Sequence, residues 1–217
     1  MPDYAAQRLN MVESQVRAND VTDVRVHAAM RAVPRERFVP ATKRAVAYAD
    51  AAIELVPGRY LLEPRTFAKM LQLAEIAPGD SVLDVGCATG YSAAVLGKLA
   101  ARVIGLEEDA DLVRVASDML AALGAANACV VQGALAGGHA AAAPYEVIFI
   151  DGAVERVPDA LLAQLAEGGR LVSVLQRGPQ GRATLFLRED GHVGQRAAFD
   201  ASAPLLAGFR QAAGFVF

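Results

Sequence analysis

The 217-residue chain predicts an α/β fold: a mostly parallel sheet covered by helices, with an antiparallel edge hairpin and an N-terminal helical cap. Three observations carry this expectation. From Pro64 onward, short apolar runs alternate with longer amphipathic stretches, the rhythm of parallel strands joined by crossover helices. One run, Ser81–Val85, passes directly into a glycine-bearing turn and then a helix-like stretch. Near the end, two alternating runs flank Glu189-Asp190-Gly191, a turn suited to joining antiparallel neighbours.

In chain order, residues 1–60 form the expected cap. Leu9, Val12 and Val16 share one helical stripe, and Val24, Ala28 and Met30 another, with Thr22 as the N-cap between them. Pro34, Pro40 and Pro57 prevent a single continuous helix. Pro64 suits a first helical turn, and the helix through Phe67, Met70, Leu71 and Ile76 is stopped by Pro78-Gly79. Strands are expected at Ser81–Val85, Arg102–Leu106, Ala128–Gln132, Glu146–Ile150 and Arg170–Leu175, with helices starting near Tyr91, Asp109 and Pro158. The helix from Asp109 buries Leu112, Val113, Ala116, Met119, Leu120 and Leu123 and ends at Gly124. Segments 183–188 and 192–199 form the edge hairpin. No repeat or low-complexity linker divides the chain, so residues 1–217 are expected to be one domain, with the cap at 1–60 and the α/β core at 61–217.

Composition narrows the function. The 54% hydrophobic content is largely alanine, and the longest uncharged stretch, residues 119–145, holds too much Gly, Asn, Gln, His and Pro to span a bilayer. The N-terminus lacks a basic flank followed by an apolar core, so a cytoplasmic location without membrane attachment is expected. Cys87 and Cys129 are too few for a zinc cluster and are expected to be small buried residues; no metal is predicted. A net charge of −3 without a Lys/Arg cluster argues against a nucleic-acid surface. A small molecule or a protein segment is the expected partner. His27, His139 and His192 show no ligand or triad spacing, and the methionines are expected to fill the core.

The chemistry concentrates in Ser81-Val82-Leu83-Asp84-Val85-Gly86-Cys87-Ala88-Thr89-Gly90-Tyr91. A glycine-bearing turn between strand and helix lets backbone approach a ligand and points helix N–H groups at it. Such a turn is also found as a plain tight connection, so the surrounding acids decide. Glu107 ends the next apolar run, where a carboxylate can accept both hydroxyls of a ribose. A nicotinamide fingerprint would place glycine at 86, 88 and 91, whereas the chain has Gly86, Ala88 and Tyr91. Asp84, two places before the first glycine, fits a cofactor carrying an ammonium group, and S-adenosyl-L-methionine is the expected cofactor.

The segments MVESQVRANDVTDVRVHAAMRAVPRERFVP, AYADAAIEL, VLDVGCATGYSAAVLGKLAARVIGLE and PDALLAQLAEGGRLV resemble the protein-L-isoaspartate O-methyltransferases. The likeness runs from position 11 to about 176, and the tail ending FRQAAGFVF carries less of it. It implies a Rossmann-like methyltransferase that esterifies an isoaspartyl carboxylate in damaged protein. By this resemblance Asp84, Gly86, Cys87, Ala88 and Gly90 line the methionine end of the cofactor, Glu107 holds the ribose, and Gly133 and Ala134 lie at the adenine.

The chain also departs from the family pattern, mildly at Ala88, which stands for the middle glycine of the cofactor loop. The family usually carries Thr-Ile-Ser just before the proline aligned with Pro64, and this chain reads Arg59-Tyr60-Leu61-Leu62-Glu63. Leu62 offers no polar atom. Ala134 stands where the family tends to place an Asp that bonds the adenine amino group. A carboxylate acceptor is already ionised at neutral pH, so catalysis asks for alignment rather than a general base. Tyr60, Arg59 and Asp151 are the candidates for contacting the acceptor; Asp151 has the alternative of capping the Gly152 turn, and Arg59 and Arg65, flanking the altered segment, could grip a carboxylate bidentately or be solvated as exposed arginines usually are. The altered segment predicts weak transfer to isoaspartyl peptides; a different small carboxylate acceptor, or a silent module that keeps the fold, are the alternatives.

Overall fold

The computed structural model describes residues 2–178 and 180–209, so the tail beyond Phe209 lies outside the described residues. Its frame is a seven-stranded sheet in the order β5-β4-β3-β6-β7-β8-β9. The strands are β3 (Ser81–Val85), β4 (Arg102–Glu107), β5 (Ala128–Gln132), β6 (Tyr145–Val154), β7 (Leu165–Gln176), β8 (Gly181–Glu189) and β9 (His192–Asp200). Strands β5 through β7 pair in parallel, and β8 and β9 add the antiparallel edge expected from the sequence. Val82, Leu83, Val85, Val147 to Ile150, Leu171 and Val172 are fully buried, which is why these strands show continuous apolar runs.

The helices are α1 (Tyr4–Met11), α2 (Val24–Ala32), α3 (Pro64–Leu73), α4 (Tyr91–Leu96), α5 (Ala110–Ala122) and α6 (Asp159–Leu162). Pro64 opens α3 as expected, but the helix ends at Leu73; Glu75 turns to φ +47° and Ile76 packs beyond it. Asp109 caps α5 by accepting from the N–H groups of Asp111 and Leu112, and Gly124 follows at φ +64°. On α5 only Leu112, Ala116 and Leu120 are fully covered, while Val113, Met119 and Leu123 lie at the half-buried margins.

The cap departs from the expectation in three respects. Asp23, not Thr22, caps α2 by accepting from the Arg25 N–H at 2.8 Å, and the Thr22 N–H donates to the Gln72 side chain. The buried face of α2 is therefore Val26, His27, Ala29 and Met30, leaving Val24 and Ala28 outside, and Leu9 of α1 is also exposed. Finally, the segment is not all helical: β1 (Ile53–Val56) and β2 (Arg59–Leu61) form an antiparallel ribbon around Pro57-Gly58. Buried residues from Met11 to Tyr48 of the cap share one apolar cluster with α3, α4 and one face of the sheet.

Cys87 is buried as expected, but Cys129 is exposed because β5 is the edge strand. His27 is buried with its ring against the Val21 carbonyl, and His192 is exposed. Among the described residues no helix is long and apolar enough to cross a membrane, and no group of three or more ligating side chains is arranged for a metal ion.

Candidate active site

Chain connectivity reverses direction at β3: the crossovers lead outward to β4 and β5, then return to β6 on the other side. The carboxyl ends of β3, β4 and β6 flank this switch point, the place where open α/β sheets bind ligands. Each brings one acid, Asp84, Glu107 and Asp151, all buried. Register fixes them: Asp84 pairs across from Gly105 on β4 and Phe149 on β6, two residues short of the other two acids.

The loop after β3 is shaped by backbone. Gly86 and Gly90 have φ of +83° and +90°, and Ala88 adopts +48°, a left-handed conformation that costs a non-glycine residue about 1–2 kcal/mol. A side chain at Gly90 would collide with Ala116 of α5, and one on Gly105 would meet the Cys87 sulfur at 2.9 Å. Cys87 thus fills the gap that Gly105 leaves; burial and the nearby carboxylates raise its pKa, so it stays a neutral thiol. Thr89 donates to the Phe38 carbonyl, tying the loop to the N-terminal cap.

Glu107 is the most heavily bonded acid. It accepts from the backbone N–H groups of Ala88 (3.1 Å), Glu108 (2.8 Å) and Asp109 (3.2 Å). Arg59 Nε reaches both its oxygens at 3.2 and 3.3 Å, and Arg59 Nη2 donates to Glu108 at 2.6 Å. Burial disfavours the Arg59 charge, yet the two glutamates outweigh it and raise its pKa. Read from the sequence as an acceptor-side residue, Arg59 instead lies against the acid at the end of β4. Gly133 donates its N–H to the Glu107 carbonyl, which places Gly133 and the exposed Ala134 next to that strand end.

Asp84 and Asp151 lack such compensation. Ser92 donates to one Asp84 oxygen at 2.6 Å, but Oδ1 of Asp84 and Oδ1 of Asp151 are buried without partners. Burial, and then the charge of Asp151, drives the Asp84 carboxyl well above its usual range against the Ser92 hydrogen bond. Burial lifts Asp151 to about 7, with Ser92 and Arg35 opposing and Glu107 adding to the rise. Strand β6 continues through Gly152, so Asp151 caps no turn there; a side chain at Gly152 would strike Leu206 at 2.6 Å. The segment carrying Leu206 runs along β6, with bonds from Ala153 to Pro204 and from Leu206 to Ala153, and Leu206 also approaches Gly86.

Tyr60 points away from these acids, donating its hydroxyl to Glu54 across the β1–β2 ribbon at 3.1 Å; that hydrogen bond raises its pKa. Leu62 is buried and apolar, and Arg65 is exposed beside Glu63. Arg35, Ser92 and Leu206 were not among the residues expected at the site. Ser92 follows the glycine turn by two residues and sits on the inward face of α4, a signal that was available. Arg35 lies in a short 3₁₀ turn between prolines, and its burial follows from tertiary packing alone.

Residues 6–201 match the family model for protein-L-isoaspartate(D-aspartate) O-methyltransferase. A protein-L-isoaspartate O-methyltransferase of Koribacter versatilis is 41% identical over 91% of this chain and 88% of its own length. A solved protein-L-isoaspartate O-methyltransferase is 25% identical with a TM-score of 0.78, covering 88% of this chain, which spans 63% of that one. A structure from Plasmodium falciparum, a putative protein-L-isoaspartate O-methyltransferase in complex with S-adenosyl-L-homocysteine, superposes with a TM-score of 0.79 at 20% identity. It covers 95% of this chain and 99% of its own.

Proposed function

Because the chain belongs to the protein-L-isoaspartate(D-aspartate) O-methyltransferase family, we propose that it transfers a methyl group to an isoaspartyl carboxylate in damaged protein or peptide. Membership makes it an S-adenosylmethionine-dependent methyltransferase. The observation that carries the cofactor's placement is the pair of partnerless oxygens on Asp84 and Asp151 beside a glycine turn. Two buried acceptors call for a cation with several N–H donors, and the methionine ammonium of the cofactor has that chemistry.

On this reading Asp84 and Asp151 hold the ammonium, and backbone of Gly86, Cys87, Ala88 and Gly90 lines the methionine end. Glu107 takes the ribose edge, sharing its oxygens with Arg59, and Gly133 and Ala134 border the adenine without a carboxylate to receive its amino group. The bound cofactor supplies an electrophilic methyl on a sulfonium. An acceptor carboxylate arrives ionised, so no side chain need remove a proton. The chain's work is alignment and exclusion of water. Phe38, Tyr91, Phe67 and Phe149 pack ring to ring at 5.5–5.7 Å under the loop, and Leu206 covers its glycine, giving a dry wall. Tyr60 reaches the acceptor only by leaving Glu54.

A second reading, a different small carboxylate acceptor, is favoured by Leu62 alone. The test is transfer of labelled methyl to an isoaspartyl peptide, with the normal aspartyl isomer as control and calorimetry with S-adenosylhomocysteine alongside. Transfer to the isoaspartyl isomer only is expected. Tight cofactor binding without transfer would point to the other acceptor, and absence of binding would leave a silent module.

A further inference from the structure

Among the described residues, the buried polar atoms without hydrogen-bond partners around the three acids include two kinds. Asp84 Oδ1 and Asp151 Oδ1 are acceptors, assigned above to the cofactor's cation. Arg35 Nη1 and the Tyr91 hydroxyl are donors. Arg35 is fully buried, with its Nε held by the Ala47 carbonyl at 2.8 Å and its Nη2 by the Leu62 carbonyl at 2.7 Å. Both partners are neutral, so the guanidinium's charge has no hydrogen-bonded counter-ion. Its carbon lies 4.9 Å from the centre of the Tyr91 ring, and the guanidinium also acts on the Tyr91 hydroxyl, opposing the rise in its pKa that burial causes. Tyr91 itself is the first residue of α4 after the glycine turn and is buried against Phe38 and Phe67.

A buried cation with a free N–H, next to a buried hydroxyl with a free O–H, selects a ligand that only accepts: a carboxylate. The position is equally specific. Arg35 is fastened to the carbonyl of Leu62, the residue whose side chain lacks the family's hydroxyl. We propose that Arg35 Nη1 and the Tyr91 hydroxyl are the donors that hold the acceptor's carboxylate here, in place of a hydroxyl at position 62. The assignment rests on the isoaspartyl reading above. It explains how a chain with an apolar residue at 62 retains the means to orient an anionic acceptor. The charge also suits the surroundings, since the guanidinium acts electrostatically on the buried Asp151.

The decisive variant is Tyr91→Phe, which removes one oxygen whose neighbour among the described residues is the Arg35 guanidinium and leaves the ring packing intact. A merely structural tyrosine would be replaced without loss, since deleting an unpaired buried hydroxyl is neutral or stabilising. If it binds the acceptor, kcat/KM for an isoaspartyl peptide falls about 10- to 100-fold while Kd for S-adenosylhomocysteine and Tm hold. Arg35→Lys, which keeps the charge but cannot span two carbonyls and a ligand, lowers peptide kcat/KM at least as far. Transfer undiminished in both variants overturns this assignment and leaves the isoaspartyl reading standing. Weakened S-adenosylhomocysteine binding in Tyr91→Phe also overturns it, giving the donors to the cofactor's own carboxylate. No transfer by the wild-type chain, by contrast, overturns the isoaspartyl reading itself before either variant is made.

Discussion

The cofactor side of the cleft and its acceptor side rest on different scaffolds. Asp84, Glu107 and Asp151 stand at the ends of three paired parallel strands, where a one-residue shift would turn every side chain to the other face. The proposed acceptor side is assembled from a 3₁₀ turn, a three-residue strand and the stretch before Pro64, where Arg35, Tyr60 and Leu62 sit. Rigid positions tolerate few residue types, whereas irregular segments can exchange one donor for another and keep the fold. By the resemblance, departures fall at 60 and 62 on this irregular stretch, and on the cofactor side in loop residues Ala88 and Ala134 rather than at the strand-end acids.

Arg59 crosses this division, since it comes from the acceptor-side ribbon and neutralises a cofactor-side acid. Arg59→Met keeps the side-chain length and removes the charge, leaving Glu107 buried near Asp84 and Asp151 with backbone donors alone. Removing one member of a buried ion pair typically costs about 3–5 kcal/mol. Urea denaturation of the cofactor-free protein should show a loss of that order. A loss below roughly 1 kcal/mol would mean the backbone N–H groups suffice and the two sides are independent after all.

Leu62→Ser sharpens the other half of the comparison by restoring the family's hydroxyl. Leu62 is 3% exposed, so shortening it should cost about 2–5 kcal/mol, the range for core leucine truncation. Peptide transfer per folded molecule is the informative quantity, with the folded fraction read by circular dichroism. A gain over wild type would show that the hydroxyl was missing and nothing had replaced it. No gain is expected if Arg35 and Tyr91 already serve.

How much of this was legible in the sequence follows the same division. Strands β3 to β5, the cap at Asp109, the helix start at Pro64 and the edge hairpin were readable because each rests on a local signal: a buried apolar run, a capping residue, a proline, a tight turn. Asp84, Gly86 and Glu107 were legible because their spacing along the strand–turn–helix unit is the chemistry. The β1–β2 ribbon was not, since a four-residue and a three-residue strand carry too few positions for periodicity to register. Thr22 and Asp23 are both good capping types, and the contest was settled by Gln72, 50 residues away, which takes the Thr22 N–H. The pairing of Arg59 with Glu107 spans 48 residues and leaves no local trace.

The smallest predicted effect concerns protons on the cofactor side. Burial pushes the Asp151 carboxyl up to about 7 from its ordinary value of 3.8, and Asp84 is raised as well. A raised carboxyl pKa means the folded state holds its proton more tightly than the unfolded chain. The associated stability is complete below about pH 4 and is lost as pH climbs through 7, so the cofactor-free protein should be more stable in mild acid than at neutrality. An ammonium placed between these acids favours their ionised forms. Cofactor binding must then expel protons that the empty site retains, and affinity for S-adenosylhomocysteine should rise with pH. For one proton the rise is at most about tenfold per pH unit, roughly 1.4 kcal/mol, flattening above the folded pKa. Calorimetry between pH 5.5 and 8.5, in buffers of differing ionisation enthalpy, reads both the affinity and the protons released. Asp151→Asn should remove most of the slope while leaving Arg59 and Glu107 paired. An affinity independent of pH in the wild-type protein would show that neither Asp84 nor Asp151 receives the ammonium, and the acids at the ends of β3 and β6 would need another ligand.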